Sequence, residues 1–240
     1  MMVHVLNEKL TYSWRNKKFP LVIDHPDHDS DVVLILGHGL NNDMNDELLH
    51  YLANTLVREG LTVVRFNYPF ATKRWKVYLP NPQKWLLLYQ IVLDHVKNLS
   101  FIPKNAYFFT GGKSLSALVS ALLFEEQEVG KIFLGAPLEI RKLFFPLAID
   151  TTIFDNSKVP MLFIQGGKDP FAPRKKLELL MGKLNPLGHL LLIPEGDHSL
   201  RIASKTDRMQ TELYQEVSDI ILWFISECLQ KKIKKEETTN

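Results

Sequence analysis

The sequence reads as an α/β protein, with a mostly parallel central sheet of about eight strands and helices on both faces. Three observations predict it. Apolar, β-branched or aromatic runs recur along the 240 residues, helix-period segments alternate with them, and several runs are apolar throughout, as in Val32-Val33-Leu34-Ile35-Leu36. A strand buried on both faces needs an unbroken run, whereas a half-exposed strand alternates. Strands that alternate with helices pair in parallel through crossovers on both faces.

The elements follow in order. Residues 10–14 and 20–23 are short strands with no helix between them, so they open the sheet as an antiparallel hairpin. Strands are then expected at 32–36, 61–66, 106–109, 131–134, 160–165 and 190–193. Helices are expected at 46–59, 82–98, 114–126, 174–184 and 206–230. The longest irregular piece, 135–159, holds one short helix at most, which leaves no separate lid domain. A single domain over 1–240 is expected, with a short polar C-terminal tail from about 231.

Composition narrows the class. The chain is 45% hydrophobic and 23% charged, with a net charge of only +2, so no field argues for nucleic acid or an anionic membrane. Lys231, Lys232, Lys234 and Lys235 are answered by Glu236 and Glu237, as in a solvated terminus. The single cysteine, Cys228, excludes an internal disulfide. Met1 to Trp14 has no apolar signal-peptide core, and no stretch approaches ~18 uninterrupted apolar residues. A soluble, cytoplasmic protein is expected, without cofactor or metal.

The run Thr110-Gly111-Gly112-Lys113-Ser114-Leu115-Ser116 lies between an apolar strand and an apolar helix. Gly-Lys-Ser also ends a phosphate-binding loop, but the first glycine of that loop would fall at Tyr107, inside the strand. The other reading is a nucleophile elbow, where a sharp strand-to-helix turn exposes a serine and small residues must flank it at −2 and +2. Gly112 and Ser116 flank Ser114 in this way. The plainer alternative is that Ser114 only caps the helix.

A serine nucleophile needs a base and an acid that orients the base. In an elbow fold they follow in the order Ser, Asp or Glu, His, on loops after later strands. Asp169 leaves strand 160–165 in a Gly166-Gly167-Lys168-Asp169-Pro170 turn, and His198 leaves the next strand in Glu195-Gly196-Asp197-His198. Of the eight histidines only His198 has this position. The oxyanion hole would use the backbone N–H groups of Leu115 and of Leu40, the latter in the His38-Gly39-Leu40 turn after the third strand. His38, Tyr68 and Lys113 are candidates for lining the site. His38 reads first as a residue packed and hydrogen-bonded within its loop rather than one exchanging protons, whereas Tyr68, Phe70, Arg74 and Trp75, which follow a strand end, read equally as site lining or as loop packing.

Together these stretches resemble the α/β-hydrolase superfamily, from about Val32 to the final helix. More narrowly, the chain resembles its dienelactone-hydrolase-like branch, which includes bacterial hydrolases, a testis-expressed protein and a chromatin-complex subunit. Matching residues are Gly37-His38-Gly39 with Asp43-Met44, Val64 to Pro69, Gly111 to Ser114, Gln165 to Phe171 and Gly196-Asp197-His198. The resemblance implies Ser114 as nucleophile, Asp169 as acid and His198 as base. It also implies that Lys113 is a feature of the branch rather than a phosphate ligand. Two departures stand out: Ser116 replaces the usual glycine, and the dienelactone enzymes use a cysteine nucleophile, whereas Cys228 lies in the last helix.

Asp24 to Asp31 mixes histidines and carboxylates, but reads as a polar turn rather than a metal site. Residues 41–46 read as a loop capping the next helix. The expected function is a serine hydrolase, carboxylesterase- or thioesterase-like, acting on a small-molecule acyl substrate through an acyl-enzyme. The alternative is a non-catalytic protein-interaction module on the same fold.

Overall fold

The computed structural model describes residues 4–71, 82–139, 151–155, 157–203 and 209–238. Val5–Trp14 (β1) and Lys17–Pro26 (β2) form the expected antiparallel hairpin. Both run longer than the apolar pattern suggested, because β1 lies at the sheet edge and polar Asn7, Glu8 and Lys9 can face water there. Asp24 belongs to β2, not to a turn; its carboxylate is buried and holds Arg65 at 2.7 Å.

Val32–Gly37 (β3), Glu47–Arg58 (α1), Thr62–Phe66 (β4), Pro82–Lys97 (α2), Tyr107–Lys113 (β5) and Leu115–Ala121 (α3) follow. Glu128–Leu134 (β6), a 3₁₀ turn Thr151–Phe154, Met161–Gly166 (β7), Arg174–Leu184 (α4), Gly188–Ile193 (β8) and Gln210–Glu237 (α5) complete the chain. The sheet order is β1-β2-β4-β3-β5-β6-β7-β8, with β3 to β8 all parallel. Two crossovers therefore run to opposite sides of β3, and loops gather at the carboxyl ends of the central strands.

Strand β6 starts at Glu128 rather than 131, and three further boundaries differ from the sequence expectation for physical reasons. Strand β5 takes in Gly111, Gly112 and Lys113, which read as loop; here glycine marks close approach of neighbouring backbones rather than a turn. Helix α3 stops at Ala121 instead of 126, where the buried Lys131 ammonium takes the carbonyls of Ser120 (2.8 Å) and Leu123 (3.1 Å). Lys131 pairs in turn with Glu128 at 2.7 Å; burial, outweighing the pairing, pushes the carboxyl up and the ammonium down from their usual values. Helix α5 continues through the residues expected as a polar tail, its last turns bridged at i,i+4 by Lys231–Glu227 (3.7 Å) and Lys232–Glu236 (3.3 Å).

The core has two sides. On one face α1 and α5 bury Leu48, Leu52, Leu213, Ile221 and Phe224 against Leu34, Phe109 and Ile132. On the other, α2 and α3 bury Leu88, Tyr89 and Leu115 against Ile35, Phe66 and Phe108, and the packing extends through Phe133, Phe154 and Phe163 to α4. Near-continuous apolar strands are thus covered on both faces, as the third observation required.

Candidate active site

Ser114 stands between β5 and α3 with φ 51° and ψ −105°, a region a residue with a Cβ adopts only under constraint. Its side chain makes no capping hydrogen bond to α3, so the capping alternative does not describe it. The turn is held from below. Gly112, at φ 141°, lies so near β3 that a Cβ there would sit 2.2 Å from the Gly37 carbonyl oxygen. The Ser114 N–H donates to Leu134 O of β6 at 2.9 Å.

His198, on the loop after β8, places Nε2 2.9 Å from Ser114 Oγ, and its Nδ1 donates to Asp169 Oδ2 at 2.8 Å. Asp169, on the loop after β7, is buried; Oδ1 accepts from Phe171 N (2.8 Å) and Oδ2 also accepts from Gln165 Nε2 (2.5 Å). Because a carboxylate accepts at Nδ1, the imidazole keeps its proton there and turns a lone pair at Nε2 toward the serine hydroxyl. Gly135, at φ 61° after β6, makes room for this loop: a Cβ there would sit 2.5 Å from the His198 carbonyl oxygen. The Phe171 ring stands edge-on to His198, centroids 4.8 Å apart, as an apolar wall beside the base.

Residues 38–42, after β3, face the elbow. Neither the Leu40 nor the Leu115 N–H is hydrogen-bonded among the described residues. His38 is fully buried in this loop: Nδ1 donates to Gly39 O (2.7 Å) and Nε2 accepts from Tyr68 N (3.1 Å). Burial drives its pKa from the ordinary 6.5 down to about 4, so it is a neutral structural pin. Ser116, where glycine was expected, donates its hydroxyl to His38 O at 2.8 Å; Gly37 leaves the space for it.

The structure thus brings Ser114, Asp169 and His198 together and sets Leu40 and Leu115 on the two segments flanking the serine. It moves the three lining candidates behind the site. His38 and Tyr68 are wholly buried, and Tyr68 is ringed by Phe66, Phe70 and Trp85. Lys113 is also buried, its ammonium 2.7 Å from Asp46 Oδ2. Arg74 and Trp75 lie outside the described residues. Asp46 caps α1 as the reading of residues 41–46 expected, but its hold on Lys113 was not foreseen; Gln165 and Gly135 were missed, although a glutamine ending the apolar run Met-Leu-Phe-Ile is a readable signal. Cys228 is buried in α5, burial pushing its thiol up to about 12, and it lies on the opposite side of the sheet from α3. No cluster of three or more His, Cys, Asp or Glu suited to a metal occurs among the described residues.

A parallel sheet with an elbow after its central strand defines the α/β-hydrolase class. Residues 30–226 match the alpha/beta hydrolase domain family, and the chain belongs to it. Solved structures share the fold at low identity. A dienelactone hydrolase from Anabaena variabilis is 18% identical with a TM-score of 0.69, covering 92% of this chain and 98% of that one. A serine hydrolase without a lid from Xanthomonas campestris is 18% identical, TM-score 0.68, covering 90% and 94%. An alpha-beta serine hydrolase homologue from Coxiella burnetii is 18% identical, TM-score 0.67, covering 89% and 94%. No curated relative matches by sequence. The dienelactone-hydrolase likeness seen in the motifs therefore extends to the fold. No described helix is long and apolar enough to cross a membrane.

Proposed function

We propose that the chain, as one domain over 1–240, is a serine hydrolase that cleaves a small carboxylic ester or thioester through Ser114, His198 and Asp169. The observation that carries this reading is the continuous hydrogen-bond line from Asp169 Oδ2 through the imidazole to Ser114 Oγ, 2.8 and 2.9 Å long. A serine at a strained, solvent-facing turn has no structural need of a histidine.

In the reaction His198 Nε2 takes the Ser114 proton as Oγ attacks the acyl carbon. Asp169 stabilises the imidazolium and holds its tautomer. The oxyanion is received by the Leu40 and Leu115 N–H groups, each worth about 3 kcal/mol in the transition state. The imidazolium then protonates the leaving alcohol or thiol. Water, deprotonated by His198, attacks the acyl-enzyme and releases the acid. An ester or thioester is favoured over an amide because the fold relatives include serine hydrolases and a dienelactone hydrolase, a fold-level argument. The acyl donor in this chemistry is a small molecule, and the final acyl acceptor is water.

Fluorophosphonate labelling tests the reading, with p-nitrophenyl esters of graded acyl length. Wild type labels at Ser114, and Ser114→Ala, Asp169→Asn and His198→Ala do not. Ser114→Ala lowers kcat on the order of 10⁶-fold. A folded wild type that neither labels nor cleaves any ester overturns the reading and favours the interaction module.

A further inference from the structure

Among the described residues, three buried ion pairs take no part in the mechanism, Asp24–Arg65, Glu128–Lys131 and Lys113–Asp46, and the last adjoins the nucleophile. Lys113 immediately precedes the nucleophile, and its Nζ reaches Asp46 Oδ2 at 2.7 Å, a partner 67 residues earlier in the chain. Both side chains are almost fully buried, 6% and 3% exposed. Asp46 caps α1, its Oδ1 accepting from Leu48 N (3.1 Å) and Leu49 N (3.4 Å). The same Oδ2 that holds Lys113 also accepts from the Asn42 side-chain amide. Asn42 closes the loop that carries Leu40, its N–H reaching Gly39 O at 3.3 Å.

Capping alone does not call for this arrangement. Asn or Ser caps a helix as well as Asp does without burying a charge. A buried ion pair recovers its desolvation cost poorly, and neutral replacements of like volume are often as stable. An elbow also accepts many residues before its serine, since only the −2 and +2 positions are crowded. What the pair does is add a charged tie between the elbow and the loop across from it, beside the Ser116 hydroxyl on His38 O. Those two segments each supply one amide of the oxyanion hole, and nothing in the covalent chain sets their spacing.

We propose that Lys113 and Asp46 are positioning residues that hold the Leu40 and Leu115 amides at the separation an oxyanion requires. The proposal rests on the hydrolase reading. The pair touches no reacting atom: it acts through Asn42 on one side and through the backbone of Ser114 on the other. An error of about 1 Å in such a site lowers the rate about 10²-fold. Because the pair is formed in the free enzyme and grips the oxyanion's donors rather than the substrate, its loss falls on kcat and spares KM.

The test compares wild type, Lys113→Met, Asp46→Asn and the double variant. Lys113→Met alone strands a buried carboxylate and is expected to unfold more readily. The double variant leaves no unpaired charge and keeps a capping side chain, so it retains the wild-type melting temperature within a few degrees. Expected in the double variant are a kcat lower by about 10²-fold on a p-nitrophenyl ester, a KM within about twofold of wild type, and weakened affinity for a trifluoromethyl ketone, which forms the tetrahedral adduct. Hydrogen exchange of peptides covering 38–42 and 114–118 should quicken, with α5 unchanged. A folded double variant with wild-type kcat overturns the proposal. So does a kcat loss matched by an equal loss of global stability, which is a structural role only. If wild type itself is folded but inactive, the hydrolase reading fails, and unchanged exchange in both peptides of the double variant then refutes the tie as well.

Discussion

Replacing Ser114 by glycine should stabilise the protein relative to replacing it by alanine, the reverse of the ordinary order. At φ 51° and ψ −105° Ser114 sits where a Cβ collides with its own backbone. Such a residue stores ~1–3 kcal/mol of strain. Ser114→Ala removes the hydroxyl and its contact with His198 but keeps the Cβ, so the strain stays. Ser114→Gly removes the same hydroxyl and the strain together. Against this stands the freedom glycine gains in the unfolded chain, ~0.5–1 kcal/mol relative to alanine. Taking the middle of both ranges leaves glycine ahead by about 1 kcal/mol. In a domain of this size that is ~2–4 °C in Tm. Urea unfolding of the two variants, with m unchanged, measures the difference directly. If the glycine variant is less stable than the alanine variant by ~0.5 kcal/mol or more, as at an unstrained site, the elbow is not strained and the reasoning fails.

The His38 and Cys228 environments give two further predictions. His38 has its folded pKa lowered from 6.5 to about 4, so between those values the unfolded chain binds the proton and the native state does not. Stability should therefore be at its plateau above pH 6.5 and fall as pH drops toward 4, by up to about 3 kcal/mol from this group. His38→Gln, which can imitate the bonds to Gly39 and Tyr68, should flatten that fall; denaturant midpoints at pH 7 and 4.5 compare the two slopes, and equal slopes count against His38 as the source. Cys228, buried with its thiol pushed up to about 12, should stay unreactive to Ellman's reagent at pH 8 until the protein unfolds, and Cys228→Ala should leave ester cleavage unchanged. Prompt titration of the native thiol would contradict its placement.

Much of the fold was legible in the chain because the signal is local. Val32 to Leu36 is apolar at five successive positions, and only a strand covered on both faces accommodates that. The strands that came out longer than expected did so where the signal is not apolar. Those of β1 face water at an edge, and Gly111-Gly112 in β5 are small because neighbouring strands crowd them. The order Ser114, Asp169, His198 could be read because each residue follows a strand end, and in a parallel sheet those ends meet at one edge.

Which polar residues face the site is a different kind of question. Tyr68 and Lys113 both leave strand ends in the right place, and their sequences say nothing of which way they turn. Tyr68 turns inward because Phe66, Phe70 and Trp85 close around it, and Lys113 because Asp46, brought by α1 from far along the chain, offers it a carboxylate. His38 likewise could be loop or catalyst until the Tyr68 N–H met its Nε2. Sequence by itself determined the class and singled out Ser114, Asp169 and His198, which the fold brings into one hydrogen-bonded line. Tertiary structure alone decided which of their neighbours are exposed, because burial of a loop side chain is set by segments that share no sequence proximity with it.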